Sequence, residues 1–248
     1  MFRLCQSALF QSVPEKNLII FLFYLPFRIC NFKLLVLNSK LLVFIMSVRN
    51  KLVIFIIVLL VVDQAVKIWI KTHMMIGEEF SVFGNWFKIL FIENNGMAFG
   101  MELGDGKFGK AVLSLFRLVA VAGIGWYILK LIREKAPLGV LFSFALIFCG
   151  AIGNIFDSLF YGMIFNDSHY QIASLFPEGG GYSSFLHGRV VDMLYFPLIE
   201  GTIPGWVPVW GGEDFLFFRP VFNLADSYIT IGVLMLILFY RKFFATKK

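Results

Sequence analysis

The chain has 248 residues, of which 59% are hydrophobic and 15% charged, with 31 phenylalanines and a mean hydropathy of +0.81. A soluble domain averages about 45–50% apolar residues, so the excess requires lipid and excludes an ordinary water-soluble core. The formal net charge of +6 does not point to nucleic acid, because no basic stripe with interleaved aromatics lies outside the apolar runs.

Residues 1–45 hold two short apolar runs, Leu18–Phe27 and Leu34–Ile45, broken by Pro26, Arg28, Asn31 and Lys33. They lack the small-residue cleavage site of a secretory signal. Met46-Ser-Val-Arg-Asn-Lys reads as an ordinary start before a first span. Residues 1–45 are therefore expected to be an extension of uncertain status, either outside the working protein or an added anchor. Residues 46–248 are expected to form one membrane domain.

Four runs are long enough to cross about 30 Å of hydrocarbon: Leu52–Ile70, Phe108–Leu131, Leu138–Phe160 and Phe222–Phe239. The basic clusters Arg49/Lys51, Lys130/Arg133/Lys135 and Arg241/Lys242/Lys247/Lys248 fall on one side of such a bundle, which the positive-inside rule makes cytoplasmic. Both termini are then cytoplasmic. The predicted fold class is a membrane all-α bundle of four spans with a small β element. That element lies in the first outer loop, where β-branched and aromatic residues punctuated by Gly77, Gly84-Asn85 and Asn95-Gly96 read as two or three short strands. The second outer loop divides at Asp192. Its first part, through Pro177-Glu-Gly-Gly-Gly-Tyr, reads as a mobile flap; its second part has too many Pro and Gly residues to span.

Asp192 follows Val190-Val191, and Asp226 lies at the mouth of the run from Leu224 to Tyr240. An ionised carboxylate at the edge of hydrocarbon costs about 2.5–3.5 kcal/mol near a helix centre, so a membrane chain keeps such groups mainly for pairing or chemistry. Both are predicted on the outer side. Two close carboxylates cannot both ionise cheaply, so one keeps its proton; one can then activate water while the other protonates a carbonyl and a leaving amine.

Asn154/Asp157 and Asn223/Asp226 are each three apart and share a helical face. Helix capping and a site role both fit these pairs. Asp63 and Lys67, at i and i+4, read as a structural ion pair, with substrate positioning as the alternative. Arg117, inside the second run, must snorkel or face a polar interior. Cys149 reads as a small buried hydrophobe. His73, His169 and His187 show no metal-ligand spacing, and neither a metal nor a cofactor is expected. Gly104-Asp-Gly-Lys-Phe-Gly109-Lys110-Ala111 imitates a phosphate loop but lacks its Ser/Thr. Asn166-Asp-Ser168 matches a glycosylation sequon without further support.

The motifs D63-Q-x-x-K67, N94-N-G-M-A-F-G100, G150-A-I-G-N154-x-x-D157, V190-V-D192 and F222-N-x-A-D226 occur in that order, and over residues 46–245 the chain resembles the lipoprotein signal peptidase (signal peptidase II) family. The resemblance implies a bacterial inner-membrane aspartic endopeptidase with an extracytoplasmic β-cradle. It would remove signal peptides from prolipoproteins beside a diacylglyceryl-modified cysteine. Asp192 and Asp226 then correspond to the catalytic dyad. Asn94, Gly96, Asn154, Asp157 and Asn223 would bind substrate, with Asp63 and Lys67 in support. The implied partners are lipid-modified prolipoproteins and membrane lipid, with no nucleic acid, for a monomer. Ser158 stands where the family usually has arginine, which leaves Arg189 and Arg117 as candidates for that basic contact. A small proton- or cation-coupled transporter using the same acids is the alternative from another class; a membrane scaffold would not need Asp192.

A chain beginning at Met46 is expected to insert in the same orientation and keep its activity, because Arg49 and Lys51 supply the inner anchor. An inactive but correctly expressed truncation would show that residues 1–45 are a working part.

Overall fold

The computed structural model describes residues 46–95, 107–197, 199–202, 206, 212, 214–217 and 221–245. The expectations for residues 1–45 and for Gly96 fall outside these. By internal contacts the chain divides into two units, Met1–Lys51 and Leu52–Lys248. In the first, the Asn50 N–H donates to the Ser47 hydroxyl at 3.3 Å, capping a helical turn. The second begins at Leu52, within the first helix, and carries the rest of the fold.

Helix α1 (Val48–His73) is 26 residues long and apolar along most of its length. After it the chain makes a hairpin of β1 (Glu79–Phe83) and β2 (Phe87–Asn94). Helix α2 (Lys107–Arg133) ends in a tight turn in which the Ala136 N–H returns to the Leu131 carbonyl at 3.0 Å and Lys135 takes a left-handed φ of 53°. Pro137 then opens α3 (Leu138–Phe156). This helix does not stop at Phe156. It widens into a π-helical turn over Asp157–Tyr161 and runs on as α4 (Gly162–Ile164). Asp157 therefore lies not at a helix C-terminus but inside a continuous 27-residue helix from Leu138 to Ile164.

Among the described residues, three helices, Val48–His73, Gly109–Arg133 and Leu138–Ile164, are long and apolar enough to cross a membrane, which makes this a multi-pass membrane protein. A shorter apolar helix, α5 (Leu224–Phe239), packs against α3 and is followed by α6 (Arg241–Ala245). Large apolar side chains such as Phe116, Val119 and Trp126 stand outward on α2, as lipid-facing positions do. Between α3 and α5 the backbones nearly touch: a Cβ at Gly150 would lie 2.1 Å from the Ala225 carbonyl oxygen, and one at Gly232 would lie 2.6 Å from that of Ser143. Small residues at such crossings let helices approach closely.

The loops contribute more strand than the sequence suggested. Strands β3 (Val190–Tyr195) and β6 (Val221–Phe222) join the hairpin in one antiparallel sheet of order β1-β2-β3-β6. Strands β4 (Ile199–Thr202) and β5 (Asp214–Phe217) pair separately. Asp192 lies opposite Ile92, and Val190 opposite Asn94. Val191 and Met193 pack into a core with Ile70, Met74, Phe91, Tyr161, Phe165 and Ala173, so by strand alternation Asp192 faces the other way. Cys149 lies with Leu146 and Tyr228 in a second apolar cluster, as expected.

The segment between Phe165 and Val190 is not a free flap. Its N–H groups bond to carbonyls at the end of the long helix: Gly188 to Ser158 (2.8 Å), Ser183 to Gly162 (2.8 Å), Tyr182 to Phe165 (2.9 Å) and Phe176 to Ile164 (2.8 Å). Gly181 and Gly188 lie so close to this helix that a Cβ would come 2.1 Å from the Gly162 oxygen and 2.0 Å from the Asp157 oxygen, respectively. The glycine-rich composition that suggested mobility instead permits close docking.

Gly150→Val should lower stability by about 1–3 kcal/mol through overpacking, read as a reduced melting temperature in detergent. An unchanged melting temperature would contradict the close α3–α5 contact.

Candidate active site

Three asparagines from three elements join the two aspartates. Asn94, at the end of β2, donates Nδ2 to Asp192 Oδ2 at 3.2 Å. Asn223 caps α5 and donates Nδ2 both to Asp192 Oδ1 at 2.7 Å and to Asn154 Oδ1 at 3.0 Å. Asn154, on α3, donates Nδ2 to Asp226 Oδ1 at 2.7 Å. Asp226 Oδ2 accepts the Asn223 N–H at 3.4 Å, which completes a capping box at the start of α5. Asn223 thus caps α5 and at the same time donates to Asp192.

The orientation of the Asn154 amide is not arbitrary. Its oxygen accepts from Lys67 Nζ at 3.0 Å as well as from Asn223. A lysine ammonium can only donate, so the amide nitrogen must face Asp226. Lys67 is fully buried and also pairs with Asp157 at 2.8 Å and Asp63 at 3.2 Å. Asp63 in turn accepts the Ala225 N–H at 3.1 Å, and Asp157 accepts that of Val191 at 3.3 Å. Gln64 bridges these two acids through Nε2, at 3.1 and 3.0 Å, and receives the Tyr161 hydroxyl at 3.0 Å. The i, i+4 ion pair read from the sequence is thus present, with Asp157 as a third member. Asp157 is 0% exposed, with both oxygens bonded within the protein.

Asp192 is 4% exposed. Burial, reinforced by the negative charge of Asp226 and opposed by the Asn94 and Asn223 amides, pushes its carboxyl up to about 7.

A second buried cluster escaped the sequence reading. Lys71, one turn beyond Lys67, pairs with Glu93, the neighbour of Asn94, and donates to Ser168 at 2.6 Å. Glu93 also receives Arg189 at 2.8 Å, and Arg189 reaches Asp167 at 3.1 Å. Burial alone would raise the Glu93 carboxyl, but Lys71, Arg189 and Ser168 carry it below its usual value. The pairing separates residues too far apart in sequence for any spacing rule to find it. Of the two arginines considered for the basic contact, Arg189 is committed to Glu93 and Asp167.

The family model described as signal peptidase (SPase) II matches residues 55–242. The chain belongs to this family. It is 56% identical over 188 residues to a lipoprotein signal peptidase of Porphyromonas gingivalis (strain ATCC 33277), covering 75% of this chain and 81% of that one. A lipoprotein signal peptidase of Amoebophilus asiaticus is 38% identical, covering 72% of each chain, and one of Chlorobium phaeobacteroides is 32% identical over 75% and 92%. The fold resembles a bacterial membrane enzyme structure solved by the in meso method at 2.3 Å resolution, with a TM-score of 0.50 and 24% identity over 80% of this chain and 92% of that one. Membership of a peptidase family leaves the transporter reading without support.

Lys67→Met should strand Asp63 and Asp157 as buried charges and cost about 3–5 kcal/mol. The expected readout is a large fall in melting temperature in detergent; a wild-type melting temperature would refute the central role of this ammonium.

Proposed function

We propose that the protein is an aspartic endopeptidase that removes the signal peptide from diacylglyceryl-modified prolipoproteins on the amino side of the lipidated cysteine, with Asp192 and Asp226 as its catalytic pair. The observation that carries this reading is the amide relay that joins both carboxylates in a chain of the signal peptidase II family.

A pair with one proton between its members has a division of labour. Asp192, whose carboxyl is pushed up to about 7, keeps the proton, and the negative charge rests on Asp226. Asp226 takes a proton from water as the water oxygen attacks the scissile carbonyl carbon, and Asp192 protonates the carbonyl oxygen. Collapse of the tetrahedral intermediate breaks the C–N bond: the proton held by Asp226 goes to the departing amine, and one hydroxyl of the intermediate returns its proton to Asp192, which restores the starting state. No metal or cofactor enters these steps.

On the same reading α5 is the fourth span. Its 16 residues reach about 24 Å, and the basic Arg241 and Lys242 that follow can snorkel to the interface. Both termini are then cytoplasmic, the pair lies near the outer face of the bacterial inner membrane, and the sheet is a cradle beside it. The substrate enters from the lipid as a monomeric enzyme's partner, its acyl chains left in the bilayer. A helical peptide bond is shielded, so cleavage requires an unwound stretch whose freed backbone groups meet polar partners. Asn94 at the end of β2, with Gly96 beyond it, and Asn154 and Asn223 are assigned to that role, with Asp157 holding β3 in place.

Purified Asp192→Asn and Asp226→Asn should each fold yet lose cleavage of a lipid-modified prolipoprotein peptide by more than the roughly 10²–10⁴-fold of a lone general acid or base. Turnover in either variant would sink the dyad. In the wild type, kcat/KM should fall as pH rises through about 7, where Asp192 loses its proton; activity that keeps rising above that pH would reverse the acid and base assignment.

A further inference from the structure

The segment between Phe165 and Val190 is laid across the ends of three spans. The Ala173 N–H donates to the Lys71 carbonyl in the last turn of α1 at 3.2 Å, and that of Phe176 to the Ile164 carbonyl, at the end of the long helix, at 2.8 Å. The Leu186 carbonyl accepts the Ser114 hydroxyl of α2 at 3.2 Å. At about 1.5 Å per residue, Ser158 lies about 30 Å along the long helix from Leu138, and Ile164 about 39 Å. A hydrocarbon core is about 30 Å thick, and a bilayer with its headgroups about 40–45 Å. The charged Arg133, Glu134 and Lys135 keep the Leu138 end out of hydrocarbon. The segment docked on Ser158–Ile164 therefore sits at the depth of the opposite headgroup layer.

The side chains it presents there are apolar. On the long helix Phe156, Phe160 and Met163 fall at i, i+4 and i+7, which is one face, and Phe156 and Met163 stand outward. The Phe156 and Phe160 rings meet at 4.9 Å, and Phe160 meets Phe185 of the docked segment at 5.9 Å. The lipid-facing surface of a spanning helix thus continues through these rings onto the segment. Phe185 is itself outward, and Phe176 is 75% exposed. Phe176 also takes a left-handed φ of 50°, a conformation uncommon for a bulky residue. Neither that backbone nor water selects phenylalanine at this position; a lipid surface does.

We propose that this segment is an interfacial anchor: Phe176 and Phe185 insert at the boundary of headgroups and acyl chains, and phospholipid is their partner. Amphipathic elements that lie in the interface bury their apolar side about 5–10 Å into this boundary. A stretch whose sequence reads as an outer loop is thereby held in the membrane plane, while Asp167 and Ser168 stay bonded to Arg189 and Lys71. The inference depends on the membrane fold and not on the peptidase assignment.

The test uses the full chain, with Cys5→Ser, Cys30→Ser and Cys149→Ala, in bilayers of phosphatidylethanolamine and phosphatidylglycerol. A nitroxide is placed on Phe176→Cys or on Phe185→Cys. Val119→Cys on the outward face of α2 is the lipid reference, and Glu134→Cys in the turn after α2 is the water reference. Relaxation by oxygen, which concentrates in lipid, is compared with relaxation by a water-soluble nickel chelate. At positions 176 and 185 oxygen should dominate, as at position 119. Dominance of the nickel chelate, as at position 134, overturns the proposal. A label shielded from both reagents, or broadened by a label on a second copy, also overturns it, because protein and not lipid then covers the face. Should a labelled variant melt below its parent, Phe176→Trp in the natural chain decides. Its added fluorescence should be quenched by phospholipid brominated on the acyl chain, and an unquenched signal refutes the anchor.

Discussion

Lys67 ties the helices to the sheet. Its ammonium has three protons to give and no exposed surface, and Asp63, Asp157 and Asn154 take one each. Every acceptor passes the constraint to a different element. Asp63 fixes the first turn of α5 through the Ala225 N–H, Asp157 fixes β3 through the Val191 N–H, and Asn154 fixes Asp226. Asp192 and Asp226 are therefore each one residue or one amide away from the same charge. Their mutual placement depends on a single side chain of α1.

Such an arrangement holds only because it is complete. A buried ion pair gains little over apolar packing, but a partner removed from it leaves a charge that neither water nor lipid can accommodate. Among the described residues, every buried side-chain nitrogen or oxygen has a hydrogen-bond partner. Gln64 and Tyr161 have this function for the carboxylates that Lys67 cannot fully satisfy. The second cluster, around Lys71 and Glu93, extends the same principle to β2, where Glu93 precedes the asparagine that meets Asp192. A stiff frame follows, and stiffness is what the proposed proton-sharing pair requires.

Much of this was legible in the sequence because its residues sit at helical spacing. Asp63–Lys67, Asn154–Asp157 and Asn223–Asp226 each fall within one turn, and an acid inside an apolar run advertises itself. The strand that carries Asp192 was harder to read. Val190, Val191, Asp192 and Met193 are all buried, so the polar–apolar alternation that marks a half-exposed strand is missing. Glu93 gave no signal of its own, since its partners Lys71 and Arg189 lie 22 and 96 residues away. Gln64 was visible inside a motif, yet nothing local said that it would bridge two acids from different helices. The glycines of the second loop misled for a physical reason: an absent Cβ permits motion and close approach alike.

The π-helical turn at Asp157–Tyr161 and the helix beyond it offer carbonyls, not side chains, to the segment that docks on them. Attachment through main-chain groups is indifferent to which amino acids the segment carries, apart from the glycines at the points of contact and the inward-facing Asp167, Ser168, Ala173 and Tyr182. Its outward side chains, Tyr170 and Phe176 among them, are consequently interchangeable as far as the fold is concerned. The outward positions of that stretch can drift in sequence while the two aspartates stay in register, which leaves its outer surface open to evolutionary tailoring.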